Sequence, residues 1–152
     1  KDISKRLQKD YRQSEVQWLD VNNILVRAVW SYITEINVNY FKANLGGYEK
    51  GQFTKYNSNG DNYKWHRDHL YEEAGITQPQ RKLSAMLQLS KPEDYKGGEL
   101  QLFNGIAEPE ELPIKKQGSL IVFRSEEWHQ VTPVVEGTRY SLVMWANGPA
   151  YV

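Results

Sequence analysis

Apolar positions divide the chain into two stretches of different periodicity. Between residues 21 and 41 they recur every three or four positions, which is typical of a helix with one buried face. The residues of this stripe are Val21, Leu25, Ala28, Val29, Tyr32, Ile36 and Tyr40. Asp20 stands where an N-cap would, and Gly46 and Gly47 follow as a stop. We therefore predict one helix over residues 21–41.

After Gly51 the pattern changes to short alternating runs that are rich in β-branched and aromatic residues and are separated by turn residues. The predicted strands are Gln52–Tyr56, Tyr63–His66, Leu83–Leu89, Glu99–Phe103, Ser119–Phe123, His129–Val131 and Arg139–Trp145. Closely spaced strands after one helix predict a mainly β fold, an antiparallel barrel or sandwich with the helix packed outside. We expect a single domain over residues 1–152, with helical support in about residues 1–47 and a β core in about residues 50–147.

Two of the predicted strands carry a face of mixed polarity. Alternation places Arg139, Ser141, Val143 and Trp145 on one face, and Ser84, Met86 and Gln88 on one face of another strand. Such a face is typical of a small-molecule pocket, but a solvent-exposed surface has the same pattern. The periodicity leaves both interpretations open.

Composition narrows the classes of function. Nineteen basic side chains balance nineteen acidic ones, which gives no electrostatic case for binding nucleic acid or a membrane surface. The absence of cysteine excludes a disulfide scaffold, a thiolate nucleophile and a cysteine-type zinc site. No apolar run reaches the ~20 residues of a membrane span and no signal peptide is visible, so we expect a cytoplasmic location.

The first 15 residues are polar and carry both signs of charge, which indicates an arm or a short helix. Its basic residues are Lys1, Lys5, Arg6, Lys9 and Arg12, and we expect them to be solvated because acidic residues stand among them.

Three residues are candidate metal ligands. His66 and Asp68 form a His-x-Asp pair near the end of a predicted strand, where residues i and i+2 point the same way. His129, on another predicted strand, could supply a third ligand. Two imidazoles and one carboxylate on one side of an ion form the facial arrangement of non-haem Fe(II) oxygenases. A zinc hydrolase could use the same ligands, and histidines in strands also serve in packing.

Arg139 follows His129 by ten residues, on the next predicted strand. A guanidinium pairs bidentately with a carboxylate, so this side chain could hold an acidic co-substrate that also chelates the metal. A surface ion pair is the alternative role.

Several segments together resemble the prolyl 4-hydroxylase type of 2-oxoglutarate/Fe(II) dioxygenase, in order and in spacing. They are Tyr56–Asp68 (YNSNGDNYKWHRD), Arg81–Ser90, Asp94–Leu100, Gly118–Phe123 (GSLIVF), His129–Pro133 (HQVTP) and Gly137–Leu142 (GTRYSL). The resemblance covers about residues 50–147 and is strongest to small bacterial and phage hydroxylases of the PKHD type. It is more distant to the oxygen-sensing prolyl hydroxylases.

This resemblance implies a double-stranded β-helix, or jelly roll, with helices packed on one sheet. It implies that His66, Asp68 and His129 ligate Fe(II), with no catalytic side chain beyond the metal centre. Arg139 would pair with the distal carboxylate of 2-oxoglutarate. The other implied residues are Tyr56 and Gln88 in the co-substrate pocket, and Tyr63 and Trp145 on the substrate side. Gln88 stands where the oxygen-sensing relatives place a tyrosine, and Tyr63 and Trp145 could instead be ordinary packing residues.

The implied reaction is hydroxylation of a substrate C–H with O2, giving succinate and CO2, with ascorbate as an optional reductant. A peptide or protein substrate hydroxylated at proline is the leading expectation. The alternatives are a free amino acid or another small metabolite, or a non-catalytic metal-binding jelly roll. Residues 69–80 follow the first two ligands and could form a lid or an ordinary surface loop.

Overall fold

The computed structural model describes residues 5–9, 11–69, 79–103 and 110–150, and its strand pairs are antiparallel throughout. The strands are β1 (Lys5–Lys9), β2 (Arg12–Leu19), β3 (Gly47–Tyr48), β4 (Gly51–Asn57), β5 (Asn62–His66), β6 (Gln80–Gln88), β7 (Tyr95–Gly97), β8 (Leu100–Phe103), β9 (Glu110–Glu111), β10 (Leu120–Arg124), β11 (Trp128–Val131) and β12 (Val134–Gly148). The helix α1 spans Ile24–Ile36 and continues into a π-helical turn at Asn37–Phe41. A 3₁₀ turn lies at Pro92–Asp94.

The mainly β prediction is confirmed, and a strand forms at each of the seven predicted places. The observed ends lie within three residues of the predicted ones, except that β12 begins five residues earlier than expected. The expectation of an arm or short helix over residues 1–15 is wrong, because β1 and β2 form a hairpin there. The region of about residues 1–47 is therefore not a purely helical support. In β2 the buried positions alternate with half-buried ones, but two of the three are polar, so the segment lacks the apolar alternation that marks a strand.

Helix α1 differs from its prediction in phase and in both ends. Asn23 caps its first turn by accepting a hydrogen bond from the Leu25 N–H, so the expected cap at Asp20 is wrong. The helix ends with Lys42 in the left-handed region at φ 54°, before the two glycines. No helix in the described ranges has the length and apolar character needed to cross a bilayer.

The buried face of α1 consists of Val26, Val29 and Ile33. Only Val29 belongs to the predicted stripe, whose tyrosines Tyr32 and Tyr40 are 60% and 79% exposed. Apolar residues occur on more than one side of this helix, so two stripes satisfy the helical period. The sheet packs against the stripe with aliphatic side chains, Val26, Val29 and Ile33.

The sheet is curled, and its path runs β10-β6-β12-β4-β2-β5-β11-β8-β9. Strands β10, β6, β12, β4 and β2 form the first half of this path, and β5, β11, β8 and β9 form the second half. The halves are joined where β2 pairs with β5, through only two register pairs, Arg12 with Tyr63 and Gln13 with Asn62. Side chains from both halves line one pocket, so the halves face each other across it. This arrangement agrees with the predicted barrel or sandwich.

Helix α1 covers the outer face of the first half. Its buried residues pack with Leu83 and Ala85 of β6 and with Leu142, Met144 and Ala146 of β12. Because side chains alternate along a strand, the residues between these point to the inner face. Arg139, Ser141, Val143 and Trp145 all line the pocket, so of the two interpretations that the periodicity left open the structure shows the pocket face. The outer core fixes which side chains reach the pocket.

Ile33→Ala should lower the free energy of unfolding by about 2–5 kcal/mol. Ile33 is fully buried in the cluster between α1 and the sheet, so the truncation leaves a cavity. Urea unfolding measured by circular dichroism tests this expectation. Tyr32→Ala is the matched control on the neighbouring, exposed position and should change stability by no more than about 0.5 kcal/mol. Equal losses in the two variants would contradict the observed phase of the helix.

Candidate metal centre and adjoining pocket

His66, Asp68 and His129 converge at the edge of the pocket, each offering one ligand atom, and these atoms lie within 4.8 Å of one another. Nε2 of His66 is 3.4 Å from Oδ1 of Asp68, and Nε2 of His129 is 3.4 Å from Oδ2. The two histidines are direct partners in the pairing of β5 with β11, which explains how residues far apart in the chain meet. The predicted clustering of these three residues is present in the structure.

Both imidazoles are oriented by backbone carbonyls. Nδ1 of His66 donates to the Lys64 carbonyl at 2.7 Å, and Nδ1 of His129 donates to the Glu127 carbonyl at 2.9 Å. Because a carbonyl can only accept, Nδ1 carries the proton in each ring. Nε2 is then left with a lone pair directed at the site, as a metal-binding histidine requires.

Asp68 is held by serine contacts that the sequence did not indicate. The Ser84 hydroxyl donates to Oδ2 at 2.8 Å and lies 2.9 Å from the Ser125 hydroxyl. The Asp68 N–H donates to the Ser125 carbonyl at 2.9 Å. Asp68 is just beyond the end of β5, so these contacts rather than a sheet ladder fix its position.

The three groups influence one another's protonation. Burial lowers the pKa of His66. Burial also opposes the charged form of His129, but the hydrogen-bonding contact with Asp68 and the charge of that carboxylate outweigh it and raise the His129 pKa. Burial favours the neutral form of Asp68, yet its contacts with the two histidines hold the Asp68 pKa well below the usual range. The contact between Asp68 and His129 therefore favours a proton on Nε2 of His129, and a divalent cation bound by the three groups would take the place of that proton.

The adjoining pocket is open to solvent and spans about 430 Å³ when the solvent space at its mouth is counted. Apart from the three candidate ligands, its polar lining consists of Arg12, Gln52, Tyr56, Tyr63, Arg139 and Ser141. Its apolar lining consists of Met86, Leu100, Phe123, Val131, Val143 and Trp145. The pocket thus combines a site for a cation, two guanidinium groups and walls that exclude water.

Arg139 is 2% exposed and lies on the inner face of β12, opposite Tyr56 of β4. One guanidinium nitrogen donates to Sδ of Met86 at 3.4 Å, and its Nε is buried without a hydrogen-bond partner. No carboxylate among the described residues pairs with it. A desolvated guanidinium without a counter-ion is a site for an anion, so the surface ion pair considered above is excluded for the described chain.

The aromatic residues predicted near the site all line the pocket. Tyr56 is 3% exposed, and burial raises its pKa, so its hydroxyl remains a donor at neutral pH. The Tyr63 ring stacks on His66 with 3.5 Å between ring centroids, and burial raises its pKa to about 12. Trp145 is 5% exposed, with its indole Nε1 buried and unpaired in the described part of the chain.

Gln88 lies apart from the main pocket. It lines a smaller adjoining cavity that Arg139 also lines, and its amide nitrogen donates to the Tyr95 hydroxyl at 2.9 Å and to the Ser90 carbonyl at 3.2 Å. Both amide hydrogens are therefore used within the protein. Tyr95, which the sequence did not single out, lines the same small cavity. Its hydroxyl accepts the hydrogen bond from Gln88, so its O–H can still donate to another group.

Arg12 is buried, so the expectation of a solvated basic arm is wrong for this residue, while the side chains of Lys1, Lys5, Arg6 and Lys9 lie outside the described ones. Arg12 is 7% exposed and lines the pocket, with its guanidinium carbon 4.5 Å from the Tyr63 ring centroid. Its Nε donates to the Ser14 hydroxyl at 2.9 Å, and Nη2 donates to Oε1 of Gln52 at 2.7 Å. The reason is its place on the inner face of β2, since that face is polar where it meets the pocket.

The proposed lid cannot be compared in full, because residues 70–78 of the segment 69–80 lie outside the described residues. The rest of the site fits the group that the resemblance implies. Two imidazole nitrogens and a carboxylate suit a divalent first-row metal. The buried guanidinium of Arg139 suits an acid bound beside that metal.

Comparisons with known proteins agree with this geometry. The family model of the 2OG-Fe(II) oxygenase superfamily matches residues 51–147. A PKHD-type hydroxylase of Shewanella baltica is 36% identical over 94 residues, which are 61% of this chain and 40% of that relative. The chain therefore spans about 40% of the length of this curated relative.

Solved structures share the fold. A Pseudomonas putida prolyl-4-hydroxylase superposes with a TM-score of 0.73 at 24% identity, over 97% of this chain and 78% of that one. A Trichoplax adhaerens prolyl hydroxylase, solved in complex with a hypoxia inducible factor oxygen degradation domain peptide fragment, gives 0.68 at 16% identity, over 95% and 70%. At these identities the likeness shows the fold alone, and it confirms the predicted jelly roll. With the family model matching most of the chain, the protein belongs to the 2OG-Fe(II) oxygenase superfamily.

Proposed function

We propose that this chain is a 2-oxoglutarate- and Fe(II)-dependent hydroxylase that inserts an oxygen atom from O2 into a substrate C–H bond. Succinate and CO2 are the co-products. One observation carries the proposal. Three lone-pair-bearing ligand atoms, from His66, Asp68 and His129, converge beside the unpaired buried guanidinium of Arg139. A zinc hydrolase would give that guanidinium no role.

Each pocket residue has a distinct part in this proposal. His66, Asp68 and His129 hold the iron, which supplies the oxidising chemistry when it is bound with 2-oxoglutarate and O2. Arg139 pairs with the distal carboxylate of 2-oxoglutarate, and the Tyr56 hydroxyl donates within the same pocket. The apolar walls exclude water, which strengthens these electrostatic contacts and protects reactive species from side reactions.

A proline residue is the proposed target. The matched relative is named a PKHD-type hydroxylase, and the two structural neighbours are prolyl hydroxylases, one of them bound to a peptide fragment. Tyr63 and Trp145 would face the substrate from the pocket wall. A cytoplasmic location is part of this proposal.

The test is an anaerobic titration of the metal-free protein with Fe(II) and then with 2-oxoglutarate. The visible charge-transfer band of the Fe(II)–2-oxoglutarate chelate should appear at saturation. Admitting O2 with a proline-peptide library, with and without ascorbate, should then release succinate. A correctly folded protein that forms no band would contradict the proposal and favour a non-catalytic or zinc-binding module.

A further inference from the structure

The pocket contains a second buried guanidinium that the proposed co-substrate does not use. Arg12 is held in place by Ser14 and Gln52, which occupy its Nε and Nη2 atoms. Its Nη1 atom makes no hydrogen bond to any described residue. No described carboxylate pairs with this guanidinium either. Its two fixed contacts orient the side chain without neutralising it, and they leave one edge of the fork for a ligand.

Arg12 lies close to the candidate metal. It faces Tyr63 across the β2–β5 junction, with 4.5 Å between the guanidinium carbon and the tyrosine ring centroid. The Tyr63 ring in turn lies 3.5 Å from the ring of His66. These two successive contacts limit the separation between the guanidinium and a metal-binding imidazole.

Arg12 and Arg139 lie on strands that are not neighbours. Strand β4 separates β2 from β12, which places the two backbones about 10 Å apart. A 2-oxoglutarate that joins the metal to Arg139 therefore leaves Arg12 available. Each arginine also contacts its own tyrosine, Tyr63 for Arg12 and Tyr56 for Arg139.

Charge balance points to an anion at Arg12. The described lining contains two positive side chains, Arg12 and Arg139, and one negative side chain, Asp68. The two charges of Fe(II) and the two of 2-oxoglutarate cancel, so the loaded pocket keeps a net positive charge. Because an uncompensated buried charge is unfavourable, a carboxylate of the substrate placed against Arg12 would complete the site.

We propose that Arg12 binds a carboxylate of the substrate, and this inference rests on the proposed function. The short path from Arg12 to the metal leaves room for only a few bonds between that carboxylate and the hydroxylated carbon. A free α-amino acid and the C-terminal residue of a peptide both satisfy this condition. An internal peptide residue does not, because its carboxyl group is part of an amide.

The experiment uses the full chain loaded with Zn(II) and 2-oxoglutarate, which cannot turn over. Calorimetry first measures 2-oxoglutarate binding. Ligand-observed NMR then compares each carboxylate probe with its matched amide. The pairs are L-proline and L-prolinamide, a peptide ending in a free proline and the same peptide with a C-terminal amide, and a set of free α-amino acids and their amides. A peptide with an internal proline is measured beside them. The free-proline arms distinguish an amino acid from a peptide C-terminus as the source of the carboxylate.

At least one carboxylate probe should bind ten or more times tighter than its matched amide. Arg12→Gln should weaken that probe roughly 100-fold and remove the preference for carboxylate, while 2-oxoglutarate binding is unchanged. Arg12→Lys should restore part of the affinity, because it keeps the charge but not the fork. Arg27→Gln, at an exposed arginine of α1, is the matched control and should behave as wild type.

Two sets of results would overturn the inference. If 2-oxoglutarate binds but no carboxylate is preferred over its amide, or if the preference survives in Arg12→Gln, then Arg12 does not bind substrate carboxylate and the proposed function stands. If 2-oxoglutarate itself does not bind to folded protein, the proposed function fails and the role of Arg12 fails with it.

Discussion

The Asp68→Asn variant is expected to bind Fe(II) at least about 100-fold more weakly than the wild-type chain and to lose 2-oxoglutarate-dependent turnover as a result. Asp68 is the one negative group at a point where two imidazole lone pairs converge. Its low pKa keeps it ionised at neutral pH, so the substitution removes a full charge as well as a ligand. Anaerobic metal titration followed by succinate release measures both effects.

Ser84→Ala provides a graded control for this variant. It removes the 2.8 Å hydrogen bond to Asp68 but leaves the carboxylate, so metal affinity should fall by about 10-fold to 100-fold, less than for Asp68→Asn. Circular dichroism should show that both variants fold. Wild-type iron affinity in a folded Asp68→Asn protein would show that the ion, if any, is bound elsewhere.

Arg139→Met is expected to weaken 2-oxoglutarate binding by about 100-fold to 1000-fold while leaving metal affinity close to that of the wild type. The reason is the loss of a charge-assisted bond in a desolvated pocket, where Arg139 is 2% exposed. The same substitution should leave the stability of the co-substrate-free protein unchanged or raise it, because it removes a buried charge that has no counter-ion. Calorimetry and urea unfolding, each with and without 2-oxoglutarate, measure the two effects.

Weaker 2-oxoglutarate binding without any loss of stability is the diagnostic combination, because a merely structural arginine would lower stability with and without 2-oxoglutarate. Arg139→Lys keeps a point charge and should lose less affinity for 2-oxoglutarate than Arg139→Met. Arg124→Gln, at an exposed arginine on β10, is the matched control. An Arg139→Met protein that binds 2-oxoglutarate normally would refute the assigned co-substrate contact.

The cluster of candidate metal ligands could be predicted because its signal is local and chemical. His66 and Asp68 are two residues apart, and the rarity of histidine in this chain left few partners for a third ligand. The strands could be predicted because β-branched and aromatic runs alternate between clear turn residues. Resemblance to a known family then indicated a role for Arg139 in binding the co-substrate, whereas spacing alone left open an inward group or a surface ion pair.

What could not be predicted depends on tertiary packing. Arg12 is polar at a position where pattern analysis expects solvent, and only the closure of β2 against β5 makes it part of a pocket. The phase of α1 was ambiguous because apolar residues lie on several sides of the helix, and contact with the sheet decides between them. The bonds from Gln88 to Tyr95 and Ser90 join residues from a strand, a loop and a second strand, so no sequence period could reveal them.

Strand β12 also limits how the chain can change in length. Over its 15 residues, Leu142, Met144 and Ala146 build the outer core, while Arg139, Ser141 and Val143 face the pocket. Inserting or deleting one residue within it would exchange the two faces on one side of the change, sending core aliphatics to the pocket or the pocket's polar groups under α1. Evolution can therefore alter substrate preference along this strand by replacing residues, but not by adding or removing them.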